Sequence, residues 1–395
     1  MSTTYAGDST NNPDSITIPS DGQGPIKAAD VNPAFEGCMD KAAYGVAREA
    51  SLRTRIIRSY VRNFTAVDIG FTQDDFIAAT SYDDANGVGR FYAMLSDSTN
   101  AYQLWGSLDG GKAWTMDSGG ALTGGATNFY SIAVNPNTGT VCMGKIGTSG
   151  SAGGIARVTG FPSGTQSAPH VDPSITSDDV YTKGIAWFVG AAKFVAVGNS
   201  TPDTVNFTPF ASHSADDGVT WTGHTIAAAI GAPLANISYS LVQSASRLAA
   251  FGLTSKTAQG GAGDYSYATT DNATSWTTRT IPLAGGGGES IAAAGYDAGR
   301  GLFVVVTSAS KAYTSPDAIT WTAVATATPV AFTSFTVFDE MWVGGNGAYL
   351  YTSNDGGATW KRSPAALNFA VQVLASGHEI AIFAADAIYV SPSLG

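Results

Sequence analysis

One pattern recurs along this chain and narrows its fold more than any other feature. A hydroxyl residue is followed two positions on by Asp, two further by Gly, and three further by Trp. The stretch Ser353-Asn354-Asp355-Gly356-Gly357-Ala358-Thr359-Trp360 carries it in full, with Thr before the Trp. Ser214, Asp216, Gly218 and Trp221 match every defined position. Ser107, Asp109, Gly111 and Trp114 differ only in Ala113, where the others have Thr. Thr269, Asp271 and Trp276 form a weaker copy, with Ala273 where Gly is expected. Ser315, Asp317 and Trp321 form a copy one residue shorter. Asp accepts hydrogen bonds from nearby backbone amides, and Gly takes positive φ without a Cβ clash. A Trp at the start of the next strand can bury its ring against neighbours. Each copy is therefore expected to be a hairpin turn whose residues are structural, not catalytic. Five copies in one chain imply a repeated supersecondary unit.

Between these turns the chain reads as pairs of strands. The first pair is placed at Phe64–Phe71 and Asp75–Ser81, the last at Phe369–Ala375 and Glu379–Ala385. The second member of each pair is uncharged for the most part and dense in Ala, Gly and Val, which suits strands packed near a central axis. The repeat length approaches about forty residues, with insertions in the first four units, as a four-stranded blade requires. The expected fold is all-β: a seven-bladed β-propeller preceded by an N-terminal tether and a short helix. Turns fall in units one, three, four, five and six. Unit two has lost its turn motif near Ala156–Ala168, and unit seven ends without a fourth strand. The stretch 52–62 is rich in β-branched residues and Arg, and is expected to close the ring against Ile388–Val390.

The turn motif resembles the Asp box of the BNR and sialidase-like β-propeller families. Sialidases of that kind use an arginine triad, a Tyr nucleophile assisted by Glu, and an acidic Asp. This chain departs from them: Arg55-Ile56-Ile57 lacks the Pro of their early Phe-Arg-Ile-Pro type motif. Arg247 and Arg300 occupy equivalent turn positions before second strands, which reads as repetition and not as a converging triad. No catalytic residue is assigned on this reading. In the families resembled, the boxes lie on blade edges away from the active centre.

Residues 1–26 are polar and read as a tether. Asn32 can cap a helix, Pro33 suits its first position, and Phe35, Met39, Ala42, Val46 and Ala50 recur at helical spacing, so a helix is expected over 33–51. The segment Ile18–Gly37, with Val31-Asn32-Pro33-Ala34-Phe35-Glu36-Gly37 leading into that helix, resembles the N-terminal segments of phage tail-fibre and tail-associated proteins. An ordinary capped helix is the alternative. The resemblance implies attachment to other tail or particle proteins through residues 1–51, with 52–395 forming the propeller.

The net charge of −11 argues against nucleic acid and anionic membranes as partners. The N-terminus lacks a signal-peptide pattern and no apolar run has the length of a membrane span, so the expectation is synthesis in a bacterial cytoplasm and residence on a virion or related particle. Cys38 and Cys142 lack metal-site spacing, and Cys142 is expected to be a small buried hydrophobe. The acid pairs Asp74-Asp75, Asp83-Asp84, Asp178-Asp179 and Asp216-Asp217 read as solvated loop acids. Calcium is the alternative, and no other cofactor is implied. His170, His213, His224 and His378 do not pair at metal spacing. Trp105, Trp187 and Trp342 are expected in the core. The favoured function is a non-enzymatic structural or receptor-binding component of a phage tail or related contractile particle, contacting a cell-surface glycan or protein. A sialidase-like hydrolase or lectin is the first alternative. An assembly factor resembling the photosystem II propellers is the second, disfavoured because those use a basic patch.

Overall fold

The computed structural model describes residues 3–6, 15–18, 65–67, 76–84, 86–96, 102–118, 122, 129–145, 154–166, 179–201, 208–226, 240–251, 264–283, 289–338, 340–363, 370–376, 379–384 and 388–390. The chain divides into Met1–Tyr60 and Val61–Gly395. In the first unit Thr3–Ala6 pairs antiparallel with Ser15–Ile18, in register Thr3↔Ile18. The polar lead expected as a tether thus contains a hairpin. The helix expected over 33–51 lies outside the described residues.

The second unit is an all-β propeller. Its described residues form seven four-stranded antiparallel sheets. The innermost strands are Phe76–Asp83, Phe129–Val134, Asp179–Phe188, Ser240–Gln243, Ile291–Asp297, Ser334–Phe338 and Ala370–Ser376. Each packs beside the next, and Ala370–Ser376 packs against Phe76–Asp83, so they close a ring. Six of these sheets then run outward in chain order through a second, third and fourth strand, and the seventh takes its fourth strand from earlier in the chain.

Two sequence expectations are corrected here. The first strands, not the second, line the axis. The second strands lie one step out, sandwiched between neighbouring sheets; Val141–Lys145 and Met341–Gly345 are buried at every position. Burial on both faces explains their unbroken apolar character, and it mimics the pattern of an axial strand.

The second correction concerns closure. Ile388–Val390 pairs with Thr65–Val67, in register Thr65↔Val390, Ala66↔Tyr389 and Val67↔Ile388. Closure therefore uses Thr65–Val67; the stretch 52–62, expected to close the ring, lies outside the described residues. The segment assigned as the first strand of unit one is the outer strand of the seventh sheet. Phe76–Asp83, expected as a second strand, is the first strand of the first sheet, and its partner is Gly89–Ser96. The seam is reinforced at the axis, where the Gln372 amide accepts from the Ala79 amide at 3.0 Å and donates to the Ala79 carbonyl at 3.1 Å. A side-chain amide there pairs with backbone as a neighbouring strand would, tying the last sheet to the first.

Candidate functional site

Two regions could carry function: the turns that join third to fourth strands, and the channel along the axis. The turns are built locally. In the sixth sheet the Ser353 hydroxyl donates to Asp355 at 2.8 Å and accepts from the Gly357 amide at 2.9 Å. Asp355 also accepts from the Thr359 amide and hydroxyl, at 2.8 and 2.6 Å. The Trp360 indole donates to the Gly357 carbonyl at 3.1 Å. Ser214, Asp216, Gly218, Thr220 and Trp221 repeat this set in the third sheet. Ser107, Asp109, Gly111 and Trp114 repeat it in the first without the Thr hydroxyl. The bonds from Thr359 and Ser353 hold the Asp355 carboxyl down at about 2. At Asp216, burial opposes the shift, but the bonds from Thr220 and Ser214 outweigh it and lower the pKa.

The fourth sheet corrects the sequence reading. There the working residues are Thr270 and Asn272, not Thr269 and Asp271. The Ala273 amide donates to the Thr270 hydroxyl at 2.9 Å, and the Thr274 and Ser275 amides donate to Asn272 at 2.9 Å each. Aligned this way, the turn has the same length as Ser315–Trp321, whose Ile319 and Thr320 amides donate to Asp317. Ala273 and Ala318 sit at φ of 66° and 50° in these two shorter turns. Asp271 instead pairs with Arg247 at 2.6 Å, and that bond lowers its pKa.

Every described turn packs on the sheet before it, and in four cases a cation from that sheet donates to a turn carbonyl. Arg157 reaches the Asp217 carbonyl at 2.7 Å, Arg247 that of Asp317 at 2.5 Å, and Arg300 that of Asn354 at 2.8 Å. Lys193 reaches the Asn272 carbonyl at 3.4 Å. The equivalence of Arg247 and Arg300 was the sequence signal for this device. In the second sheet, which lacks the motif, Phe161 takes the place of the Trp. Its ring lies edge-on to Tyr92 of the first sheet at 5.2 Å, and the Gly164 amide donates to Asp117 of that sheet. Asp217, read as a solvated loop acid, accepts instead from Asn135 and Thr138 of the neighbouring sheet at 2.8 and 3.0 Å. Among the described residues no group of three or more His, Cys, Asp or Glu could hold a metal ion. His213 and His224, expected apart, are stacked with Nδ1 and Nε2 2.8 Å apart. Their strands pair side by side, which sequence spacing alone does not reveal. Cys142 is fully buried, and burial pushes its thiol pKa up.

The channel is the candidate binding site. It encloses about 1120 Å³ and is lined by inner strands of all seven sheets. Its wall includes the aromatic side chains of Tyr82, Tyr130, Trp187 and Tyr296, several Ser and Thr residues, and Gln243 and Gln372. Gln243 is engaged with backbone: it accepts from the Val189 amide at 3.0 Å and donates to the Trp187 carbonyl at 2.8 Å. Among the described lining residues a single side chain is charged, Lys183, and none is a carboxylate. Burial holds the Lys183 ammonium below its usual pKa. Of the tryptophans expected in the core, Trp342 is fully buried, with its indole donating to Asp297 at 2.7 Å. Trp187 is half-buried, packs against the buried cluster that includes Ile185, Phe194 and Trp221, edge-on to Phe194 at 5.0 Å, and also borders the channel. No motif in the sequence marks the channel lining.

No family model matches the sequence, and no curated protein matches it either. Solved structures do resemble the fold. The extracellular domain of BT4673 from B. thetaiotaomicron superposes with a TM-score of 0.54 at 12% identity, over 85% of this chain and 40% of that one. This chain therefore spans about two-fifths of the BT4673 domain. The Dos1 propeller superposes with a TM-score of 0.50 at 9% identity, over 84% of this chain and 94% of that one. The GH93 α-L-arabinofuranosidase of Fusarium graminearum, in complex with arabinobiose, gives a TM-score of 0.42 at 14% identity. At such identities likeness speaks for fold and not for activity; what this chain shares with the BT4673 domain and Dos1 is the β-propeller.

Proposed function

We propose that the protein is a non-catalytic binding propeller that offers its axial channel to a glycan or protein receptor, and that residues 1–51 attach it to a phage tail or related particle. The channel lining carries the first part of this reading. It combines aromatic faces with hydroxyls, the usual equipment of a small-molecule or sugar site. Most glycoside hydrolases use a pair of carboxyl groups flanking the scissile bond, and sialidases use a Tyr with an assisting Glu and an acidic Asp; the described lining contains no carboxyl group. The arginines that a sialidase-type site would require are engaged elsewhere. Arg157, Arg247 and Arg300 clasp turns of neighbouring sheets. Arg90 pairs with Asp84, and Arg362 stacks on Tyr349 at 4.5 Å. The second part rests on the resemblance of Ile18–Gly37 to tail-associated proteins.

A glycan array probed with the full chain, beside a panel of fluorogenic glycosides, tests the first part. Retention without turnover, abolished by Trp187→Ala, is the expected result. Turnover that channel substitutions remove would replace this reading with the hydrolase. For the second part, a chain lacking residues 1–51 should fold but fail to join its particle; normal incorporation overturns the attachment role.

A further inference from the structure

We propose that the ligand of the channel is a neutral saccharide, held at the mouth where the inner strands begin, with one sugar ring stacked on Tyr130. This rests on the channel being the binding site. Six described aromatic side chains border the channel, and five are committed to packing. Phe335 is buried, and Phe76 stacks on Phe383 at 5.0 Å. Tyr82 stacks on Tyr92 at 6.3 Å, Trp187 lies edge-on to Phe194, and Tyr296 packs on Phe303 at 4.9 Å. The sixth is Tyr130. It is 43% exposed, and among the described residues its side chain has no hydrogen bond and no ring contact.

The strand explains this exposure. Phe129–Val134 shifts register against Val141–Lys145 between Phe129 and Ser131, which makes Tyr130 the extra residue. A bulge re-aims the side chain of its extra residue, and bulges are enriched beside functional sites. Phe129 and Ser131, on either side, are buried. Four other inner strands shift register in their first half as well.

The chemistry of the mouth names the ligand class. A pyranose carries C–H groups on its faces and hydroxyls around its rim. An exposed aromatic face meets the first while its own hydroxyl stays wet. Ser240, which opens the inner strand of the fourth sheet and borders the channel, adds a hydroxyl that can both donate and accept. Among the described lining residues none is a carboxylate, and the one cation, Lys183, has an interaction of its own within the protein. A charged sugar would leave water without a partner here, and an acidic one would also meet a protein of net charge −11. A neutral sugar escapes both costs.

A glycan array that carries the same cores uncapped and capped with sialic or uronic acid, probed with the full chain, tests the class. The uncapped cores should be retained, and capping should weaken binding about 10-fold or more. Calorimetry with the best-retained neutral trisaccharide tests the contact. Tyr130→Leu should weaken binding about 10-fold, and Tyr130→Phe by less than about 3-fold. Trp187→Phe, which keeps a ring to pack on Phe194, should leave affinity within about 2-fold of the parent. Equal or tighter binding of the capped cores, or full affinity in Tyr130→Leu, overturns the proposal. In either outcome, retention that Trp187→Ala abolishes leaves the channel reading intact. Absence of all saccharide binding overturns both.

Discussion

In the sixth sheet the turn from Ser353 to Trp360 closes around a carboxylate. In the fourth, the turn from Thr270 to Trp276 is one residue shorter and closes around the Asn272 amide oxygen. The longer form needs glycine for two reasons. Gly357 has φ of 89°, and a Cβ there would stand 2.8 Å from the Trp342 ring. Gly218 and Gly111 are confined alike, by the Cys142 sulfur at 2.6 Å and by Val390 at 2.9 Å. In the shorter form Ala273 takes the left-handed conformation, at roughly 1–2 kcal/mol for an L-residue, and its methyl is buried. The long turn thus leaves space for its neighbour's side chain, whereas the short one fills that space itself. What both retain is an oxygen two residues after the hydroxyl that accepts backbone amides. That oxygen, and not the letter Asp, defines the turn.

The comparison breaks most sharply at the tryptophans. Trp221, 5% exposed and bonded through its indole to Gly218, should destabilise by about 3–5 kcal/mol when changed to Ala. Trp276 is half-buried and its indole nitrogen has no partner, so Trp276→Ala should cost about 1–2 kcal/mol less. Urea unfolding of the two variants checks the order, and equal losses would mean that the turns do not differ in packing.

Glycine and alanine come next. Gly357→Ala should destabilise by about 1–3 kcal/mol through overpacking against Trp342, whereas Ala273→Gly should change stability by less than about 1 kcal/mol. Thermal melts of both variants decide this.

Smaller still is the test of which residue works in the fourth turn. Asn272→Ala should cost about 1–2 kcal/mol through lost amide acceptors. Asp271→Ala, which removes an exposed ion pair, should cost under about 1 kcal/mol. The reverse order would restore Asp271 as the turn residue.

The smallest effect concerns acid. The Asp355 pKa is about 2 in the folded protein, below the ordinary value of about 3.9. Its contribution is therefore present above about pH 4 and is lost as pH falls toward 2. Asn272 does not titrate in this range. Amide exchange at Thr359 should therefore accelerate between pH 4 and 2 relative to that at Ser275, after correction for intrinsic rates. Asp355→Asn should remove the difference.

The sequence by itself determined the repeat. Hydroxyl, acid, glycine and tryptophan act within eight residues of chain, so their hydrogen bonds form wherever the letters occur, and the turns of the first, third, fifth and sixth sheets were legible. The second strands of the other six sheets were legible as well, since burial on both faces writes an apolar run, whereas in the first sheet Phe76–Asp83 was read in place of Gly89–Ser96. Placement was decided only by the tertiary structure. Thr65–Val67 is an outer strand because it meets Ile388–Val390 from the far end of the chain, and no local pattern records such a pairing. Phe161 replaces a tryptophan because Tyr92 of another sheet waits for a ring. Thr270 displaces Thr269 because a register of hydrogen bonds, not an alignment of letters, chooses the turn. Lys183 reaches the channel wall because its strand shifts register between Thr182 and Gly184. Contacts within a turn are short in sequence and can be read along it, whereas closure, packing between sheets and the channel wall join residues far apart and exist only once the ring has closed.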